Sequence, residues 1–270
     1  MKEGLIDALW RDVEKIRTDR PLVHNITNYV VMEFTANALL ALGASPVMAH
    51  AREEAADMAA LAGAVVLNIG TLSPSWVEAM HLARQTALAC GIPVVLDPVG
   101  CGATAYRTET ARALLSAAPL AVIRGNASEM AALHGVAAAA TRGVDSAMAV
   151  TDAEQAAINL AATRARVAVI SGPTDLIAGP GGVRRVENGH AMMARVTGMG
   201  CSASALIGAF CAVNTDFEAA ALHAMVVMGL CGEIAAEQSS GPGTFKVAFL
   251  DALYALTKEE VRTRIKVDVA

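Results

Sequence analysis

Thr197-Gly198-Met199-Gly200-Cys201 sets two glycines and a thiol directly ahead of the small-residue run Ser202-Ala203-Ser204-Ala205. Two glycines let a backbone approach a ligand closely and turn its N–H groups outward, and a helix opening there adds the positive end of its dipole. Such a segment suits an anion. A cysteine in the first turn of that helix is expected to have its pKa lowered by the same field, so charge stabilisation and a reactive group would lie side by side. The same residues also read as an ordinary helix start with a small buried cysteine, because short glycine patterns match by chance.

If the anion is a phosphate, it must be held without the usual phosphate-binding motifs. The chain has no G-x-x-x-x-G-K-[ST] pattern and no kinase catalytic-loop pattern, and none of its five lysines lies in a glycine-rich turn. The charge would have to come from the N–H groups at 198–201, the guanidinium of Arg124 and a divalent cation. A helix dipole contributes about 0.3 to 2 kcal/mol to an anion, too little for phosphoryl transfer unaided, which is why a metal is expected. Asp97 and Glu129 are the nearest carboxylate candidates. Each residue has a structural alternative. Asn126-x-x-Glu129 is a helix-start pattern, with Asn126 as cap and Glu129 reaching back, and that reading is the favoured one on local grounds. Asp97-Pro98 can simply end a strand, and Arg124 can be half of a structural ion pair.

His24-Asn25-Ile26-Thr27-Asn28-Tyr29 gathers polar side chains ahead of an apolar helix expected over residues 30–42, which Thr27 and Asn28 could cap. Residues 44–48 look like a buried strand. Met48 is core by default, although a thioether suits the wall of an aromatic-ring pocket.

The elements that must position these groups follow from the apolar pattern. Residues 65–70, 94–98, 121–125 and 167–172 are short apolar runs ending in Gly, Asp or Pro, the signature of buried parallel strands. Helical stretches lie between them, one opened by Ser73-Pro74 over residues 76–90 and one by Thr151-x-x-Glu154 over residues 156–163. Residues 175–178 and 183–186 flank the turn Gly179-Pro180-Gly181-Gly182 as an antiparallel hairpin near one edge, and after Gly200 the chain reads as helices to the end. The expected architecture is an open α/β sheet with helices on both faces. Ligands bind such sheets beyond the carboxyl ends of the strands. Asp97, Arg124 and Ser171 each end one of these runs, so all three should face one crevice, closed by the glycine turn.

A chain of 270 residues without a linker is expected to form one domain over residues 1–270, Ala137 to Ala140 being too short a low-complexity run to act as a tether. A net charge of −5 with no basic cluster argues against nucleic acid and against an anionic membrane surface, leaving a small molecule as ligand. The long apolar stretches, residues 201–213 and 219–232, are interrupted by polar residues and fall short of the roughly 20 residues a bilayer requires. The N-terminus reads as a charged amphipathic helix and not a signal peptide, so a cytoplasmic protein is expected. Five cysteines without a C-x-x-C pair read as reduced thiols, and six histidines show no H-E-x-x-H. With 54% apolar and only 17% charged residues, more helix faces are apolar than one core needs, which points to a homo-oligomer.

Six segments in register carry a resemblance: residues 21–28 (PLVHNITN), 39–48 (LLALGASPVM), 67–72 (LNIGTL), 97–100 (DPVG), 124–129 (RGNASE) and 196–201 (VTGMGC). Together they resemble the hydroxyethylthiazole kinases of thiamine salvage. The resemblance implies a ribokinase-like three-layer sandwich, a mostly parallel sheet with helices on both faces, and ATP- and Mg²⁺-dependent phosphorylation of the primary alcohol of 4-methyl-5-(2-hydroxyethyl)thiazole. It also implies a homotrimer with active sites at subunit interfaces. By motif position, Met48, Gly198 and Asn28 would contact the thiazole, and Arg124 and Ser171 the ATP. Asp97 and Glu129 would organise Mg²⁺ and the phosphates, with Asp97 and Cys201 as the catalytic pair and Cys201 beside the substrate hydroxyl. Related sugar and pyrimidine kinases usually carry Asp where Cys201 stands, as general base; to fill that role near neutral pH the thiol would have to be acidified, and otherwise it positions the alcohol. Cys101, Ser171 and Met199 replace residues more frequent in the family at those positions. The alternatives are another ribokinase-like enzyme, acting on a hydroxymethylpyrimidine or repairing hydrated NAD(P)H, and a non-catalytic thiazole or nucleotide sensor.

Overall fold

The computed structural model describes residues 2–116, 118–135 and 146–268. The first half alternates strand and helix: α1 (Lys2–Asp19), β1 (Leu22–Ile26), α2 (Met32–Leu42), β2 (Ser45–Val47), α3 (Arg52–Leu61), β3 (Ala64–Asn68), α4 (Pro74–Ala89), β4 (Val94–Asp97), α5 (Ala105–Leu115), β5 (Leu120–Asn126) and α6 (Ala127–His134). After α7 (Ser146–Thr163) come β6 (Ala165–Ser171) and the hairpin β7 (Asp175–Gly179) and β8 (Gly182–Val186). A 3-10 turn at Ala191–Arg195 then leads into α8 (Met199–Val213), α9 (Phe217–Glu237), α10 (Pro242–Ala255) and α11 (Lys258–Arg264).

These strands form one eight-stranded sheet in the order β2-β1-β3-β4-β5-β6-β7-β8, parallel from β2 through β6 and antiparallel at β7 and β8. Its two faces carry separate cores. One packs Val23, Val66, Val95 and Val122 against α1, α2, α8, α9 and α10; the other packs Val65, Leu67, Leu96 and Ile123 under α3 to α7. The alternation of side chains along each strand feeds both layers, so the runs read as continuously apolar. The expected sandwich, its parallel strands and its edge hairpin are all present, with ends shifted by a residue or two.

Four local expectations are corrected. Residues 22–26 are a strand, not a polar lead into a helix; β1 pairs with β2 and β3, and its His24 and Asn25 are buried. Helix α2 starts at Met32, and its N-cap, Val31, makes no side-chain cap bond, so Thr27 and Asn28 do not cap it. β2 is a three-residue edge strand whose residues are all half-buried, and Met48 lies just past its end. Helix α7 begins at Ser146, ahead of the Thr151-x-x-Glu154 signal. The run Ala137 to Ala140 lies outside the described residues.

The apolar stretch 219–232 also proves longer as a helix than its composition suggested. The 21 residues of α9 are long and apolar enough to cross a membrane, yet most of its apolar length is buried inside the protein. α9 is a core helix, started by Asp216, whose carboxylate accepts from the N–H groups of Glu218 and Ala219.

Candidate active site

Asp97 and Asn68 are paired in register at the carboxyl ends of β4 and β3, and Asn126 and Ser171 likewise at the ends of β5 and β6. This edge of the sheet meets the start of α8. Gly198, in the left-handed region at φ +97°, is the N-cap of α8, and the turn needs glycine there because a Cβ would stand 3.1 Å from Phe34 and 3.2 Å from Val31. At Gly200 a Cβ would lie 2.7 Å from Arg124 Nη1, so the missing side chain lets the guanidinium close on the turn.

Beneath the turn runs a continuous hydrogen-bonded chain. Asn28 Nδ2 donates to Cys201 Sγ (3.3 Å) and to Asn68 Oδ1 (2.9 Å); Asn68 Nδ2 donates to Asp97 Oδ2 (2.8 Å), which also accepts from Ser204 Oγ (2.8 Å). Gly70, where a Cβ would come within 2.7 Å of Asn28 Nδ2, donates its N–H to Asn68 Oδ1. Arg124 reaches both sides, donating from Nη2 to Ser171 Oγ and standing 3.8 Å by Nη1 from Asp97 Oδ2.

The electrostatics follow from burial. Asp97 is fully buried, and desolvation raises its pKa from 3.8 to about 6 with help from Glu129, against the lowering pull of Arg124 and the Ser204 and Asn68 hydrogen bonds. Asp175, below the turn after β6, is likewise raised to about 6 by burial, although it accepts from the Gly172 N–H. Cys201 is pushed up to about 11, by burial first and by the Asp97 charge second. This overturns the expectation of an acidified thiol. The helix field is present, but desolvation and a neighbouring carboxylate outweigh it, and near neutral pH Cys201 is an uncharged thiol.

Glu129 serves two roles at once. It completes the capping box with Asn126, as the local pattern suggested, its Oε2 accepting from the Asn126 N–H at 2.8 Å while its Oε1 accepts from Gly100 N–H at 2.8 Å. The Asp97-Pro98-Val99-Gly100 turn is thereby tied to the start of α6. No cluster of three or more His, Cys, Asp or Glu side chains among the described residues could hold a metal alone. Asp97 Oδ1, however, is buried and has no hydrogen-bond partner among the described residues. An unpartnered carboxylate oxygen close to a second carboxylate fits Mg²⁺, which takes one or two carboxylates and leaves its other positions to phosphate and water.

Asp97, Arg124, Glu129, Ser171, Asn28, Gly198 and Cys201 thus meet at one edge of the sheet. Met48 lies at the same edge, past the end of β2 and half-buried; its carbonyl oxygen is 3.2 Å from His50 Nδ1. The sequence reading did not assign Asn68, Ser204 or Arg107 to the site. Arg107 donates to the carbonyls of Ile69 (2.9 Å), Val99 (2.7 Å) and Gly70 (2.8 Å), stapling the loops after β3 and β4. Asn68 lies in the LNIGTL segment and Ser204 in the small-residue run after Cys201, but their partner, Asp97, is assigned only by the strand order.

The sheet and its helical layers have the ribokinase-like fold. A ribokinase-like superfamily structure from Enterococcus faecalis is 13% identical with a TM-score of 0.64, covering 88% of each chain, a likeness that speaks for the fold alone. Residues 13–259 match the hydroxyethylthiazole kinase family. A hydroxyethylthiazole kinase from Syntrophus aciditrophicus is 55% identical over 258 residues, 96% of each chain. The solved hydroxyethylthiazole kinase structure from Pyrococcus horikoshii is 43% identical, with a TM-score of 0.87 and 98% of each chain covered. The chain belongs to the hydroxyethylthiazole kinase family.

Proposed function

We propose that this protein transfers the terminal phosphoryl group of ATP to the primary alcohol of 4-methyl-5-(2-hydroxyethyl)thiazole, as a cytoplasmic kinase of thiamine salvage. The observation that carries the reading is the unbroken chain Cys201, Asn28, Asn68, Asp97, Ser204 under the N-terminus of α8, beside Arg124. It sets an anion-binding turn, a cation, a carboxylate and a thiol around one point. Family membership supplies the substrate class.

Gly198 to Cys201 and Arg124 would meet the transferring phosphoryl group, and Ser171 would orient Arg124 and contact the nucleotide. Asp97 Oδ1 and Glu129 would hold Mg²⁺, which when bound neutralises phosphate charge. Gly198, Asn28 and Met48 would contact the thiazole ring. Cys201 Sγ, protonated near neutrality and held by Asn28, positions the alcohol instead of removing its proton. In a loose transition state that proton leaves late, to a phosphoryl oxygen, so no strong base is required. Residues 1–270 are read as one kinase domain, acting in a homotrimer whose subunits meet near the active sites; exposed Tyr29 and Val30, beside Asn28, are consistent with such a contact.

An ATP-coupled assay with Mg²⁺ across thiazole, hydroxymethylpyrimidine and sugar alcohols tests the reading. Turnover is expected with the thiazole alcohol. Turnover of another alcohol and none of this one would reject it.

A further inference from the structure

At the opposite end of the sheet from the candidate site, a cleft of about 970 Å³ opens between α1, the C-terminal end of α8, the start of α9, the start of β6 and the β7–β8 turn. Four cationic side chains line it: Arg11, Lys15, Arg166 and Arg184. Lys15 donates to the Val213 carbonyl, and Arg166 lies over the Phe217 ring at 5.6 Å. Arg11 and Arg184 form no ion pair or hydrogen bond among the described residues, Arg11 sensing Asp7 only at longer range.

The carboxylates in the cleft are committed to the protein. Asp216 caps α9, Glu218 Oε2 accepts from Gly181 N–H at 2.7 Å, and Asp12 Oδ2 accepts from Asn214 Nδ2 at 2.7 Å. Asp12 Oδ2 also lies 2.7 Å from His223 Nδ1. Because the carboxylate only accepts, the imidazole carries a proton on Nδ1. His223 is 1% exposed, lines the cleft, and its Nε2 has no partner among the described residues. The imidazole is oriented by Asp12 and opens at Nε2, with no protein partner there among the described residues, onto a cleft that also holds the two guanidinium groups of Arg11 and Arg184, so the cleft offers polar contacts to a ligand.

We propose that this cleft is a second ligand site, for a small phosphomonoester that carries an apolar ring. Arg11 and Arg184 would take the phosphate oxygens. His223 Nε2 would hydrogen-bond a further phosphate oxygen. Phe217 and Leu222 supply the apolar wall for the ring.

Phenyl phosphate, titrated calorimetrically into the full-length protein saturated with a non-hydrolysable ATP analogue and Mg²⁺, provides the test. One binding event per chain is expected, weakened at least tenfold in Arg11→Ala/Arg184→Ala and in His223→Gln, and unchanged in Arg124→Ala. The arginine pair makes no internal bonds, so that variant should keep the parent Tm even if His223→Gln does not fold. No binding event, equal affinity in the folded arginine variant, or weakening by Arg124→Ala instead would overturn the proposal. No arm reads kinase activity, so the outcome is independent of the reaction proposed above.

Discussion

Asp97 is an acid held where water does not reach it, and that has a measurable sign. Its folded pKa of about 6 lies above the ordinary 3.8, so between those values the folded chain holds a proton that the unfolded chain has released. Its contribution to stability therefore grows as pH falls from about 7 to about 4, and above pH 7 the ionised group costs on the order of 3 kcal/mol. Asp97→Asn is expected to raise Tm by several degrees at pH 8 while lowering kcat at least 100-fold, with the Tm gain vanishing near pH 4. A Tm below the parent at pH 8 would mean that the charge is stabilising. In the parent, kcat/KM should fall below about pH 6 as Asp97 protonates. Cys201 gives a second readout at this scale. Its raised pKa and half-burial predict that iodoacetamide at pH 8 labels exposed Cys90 first, followed by mass spectrometry of the peptides; equal or faster labelling of Cys201 would contradict an uncharged thiol. The residue types that could do chemistry were legible in the sequence because carboxylate, guanidinium, thiol and glycine each advertise a function. The thiol's protonation state was not. It depends on Asp97, whose carboxylate is brought near it only by packing of α8 on β4.

At the scale of elements, the parallel strands were legible because burial on both faces leaves nearly unbroken apolar runs. β1 was not, since His24 and Asn25 interrupt its pattern. Their polar atoms are partly met inside the fold: His24 Nε2 donates to the Ala49 carbonyl at 2.6 Å and Asn25 Nδ2 to the Val23 carbonyl at 2.9 Å. A polar strand of this kind is recognised by its neighbours, not by its own alternation. The start of α7 was misread for a related reason, because a capping pattern inside a helix looks the same as one at its end. Helix packing gives a paired prediction. In α9 a Cβ at Gly229 would stand 2.5 Å from the Asn188 carbonyl oxygen, a backbone atom that cannot swing aside, whereas exposed Gly4 in α1 has nothing within 4 Å. Gly229→Ala should destabilise by about 1 to 3 kcal/mol through overpacking, and Gly4→Ala should stabilise by about 0.5 to 1 kcal/mol through helix propensity. Chemical denaturation of both variants checks this, and a stable Gly229→Ala would show that α9 and the Asn188 loop are free to separate.

For the whole molecule, the surplus of apolar residues was legible as composition, but most of it serves the two cores on either side of the sheet. Among the large apolar side chains left outside, Tyr29 and Val30 adjoin the candidate site: Tyr29 is 62% exposed and Val30 68%, next to a cluster in which the rings of Tyr29 and Trp76 lie 4.5 Å apart. If this patch is an intersubunit contact, sedimentation equilibrium should return three times the 27.8 kDa chain mass, and Val30→Asp should lower it. A parent that sediments as a single chain would reject the trimer. The border strand β2 limits how any such contact can form. It is three residues long, and its middle residue is Pro46, which has no amide proton to offer a newcomer. Strand-by-strand accretion, the route by which open sheets grow into fibrils, therefore finds no continuous row of donors along this border.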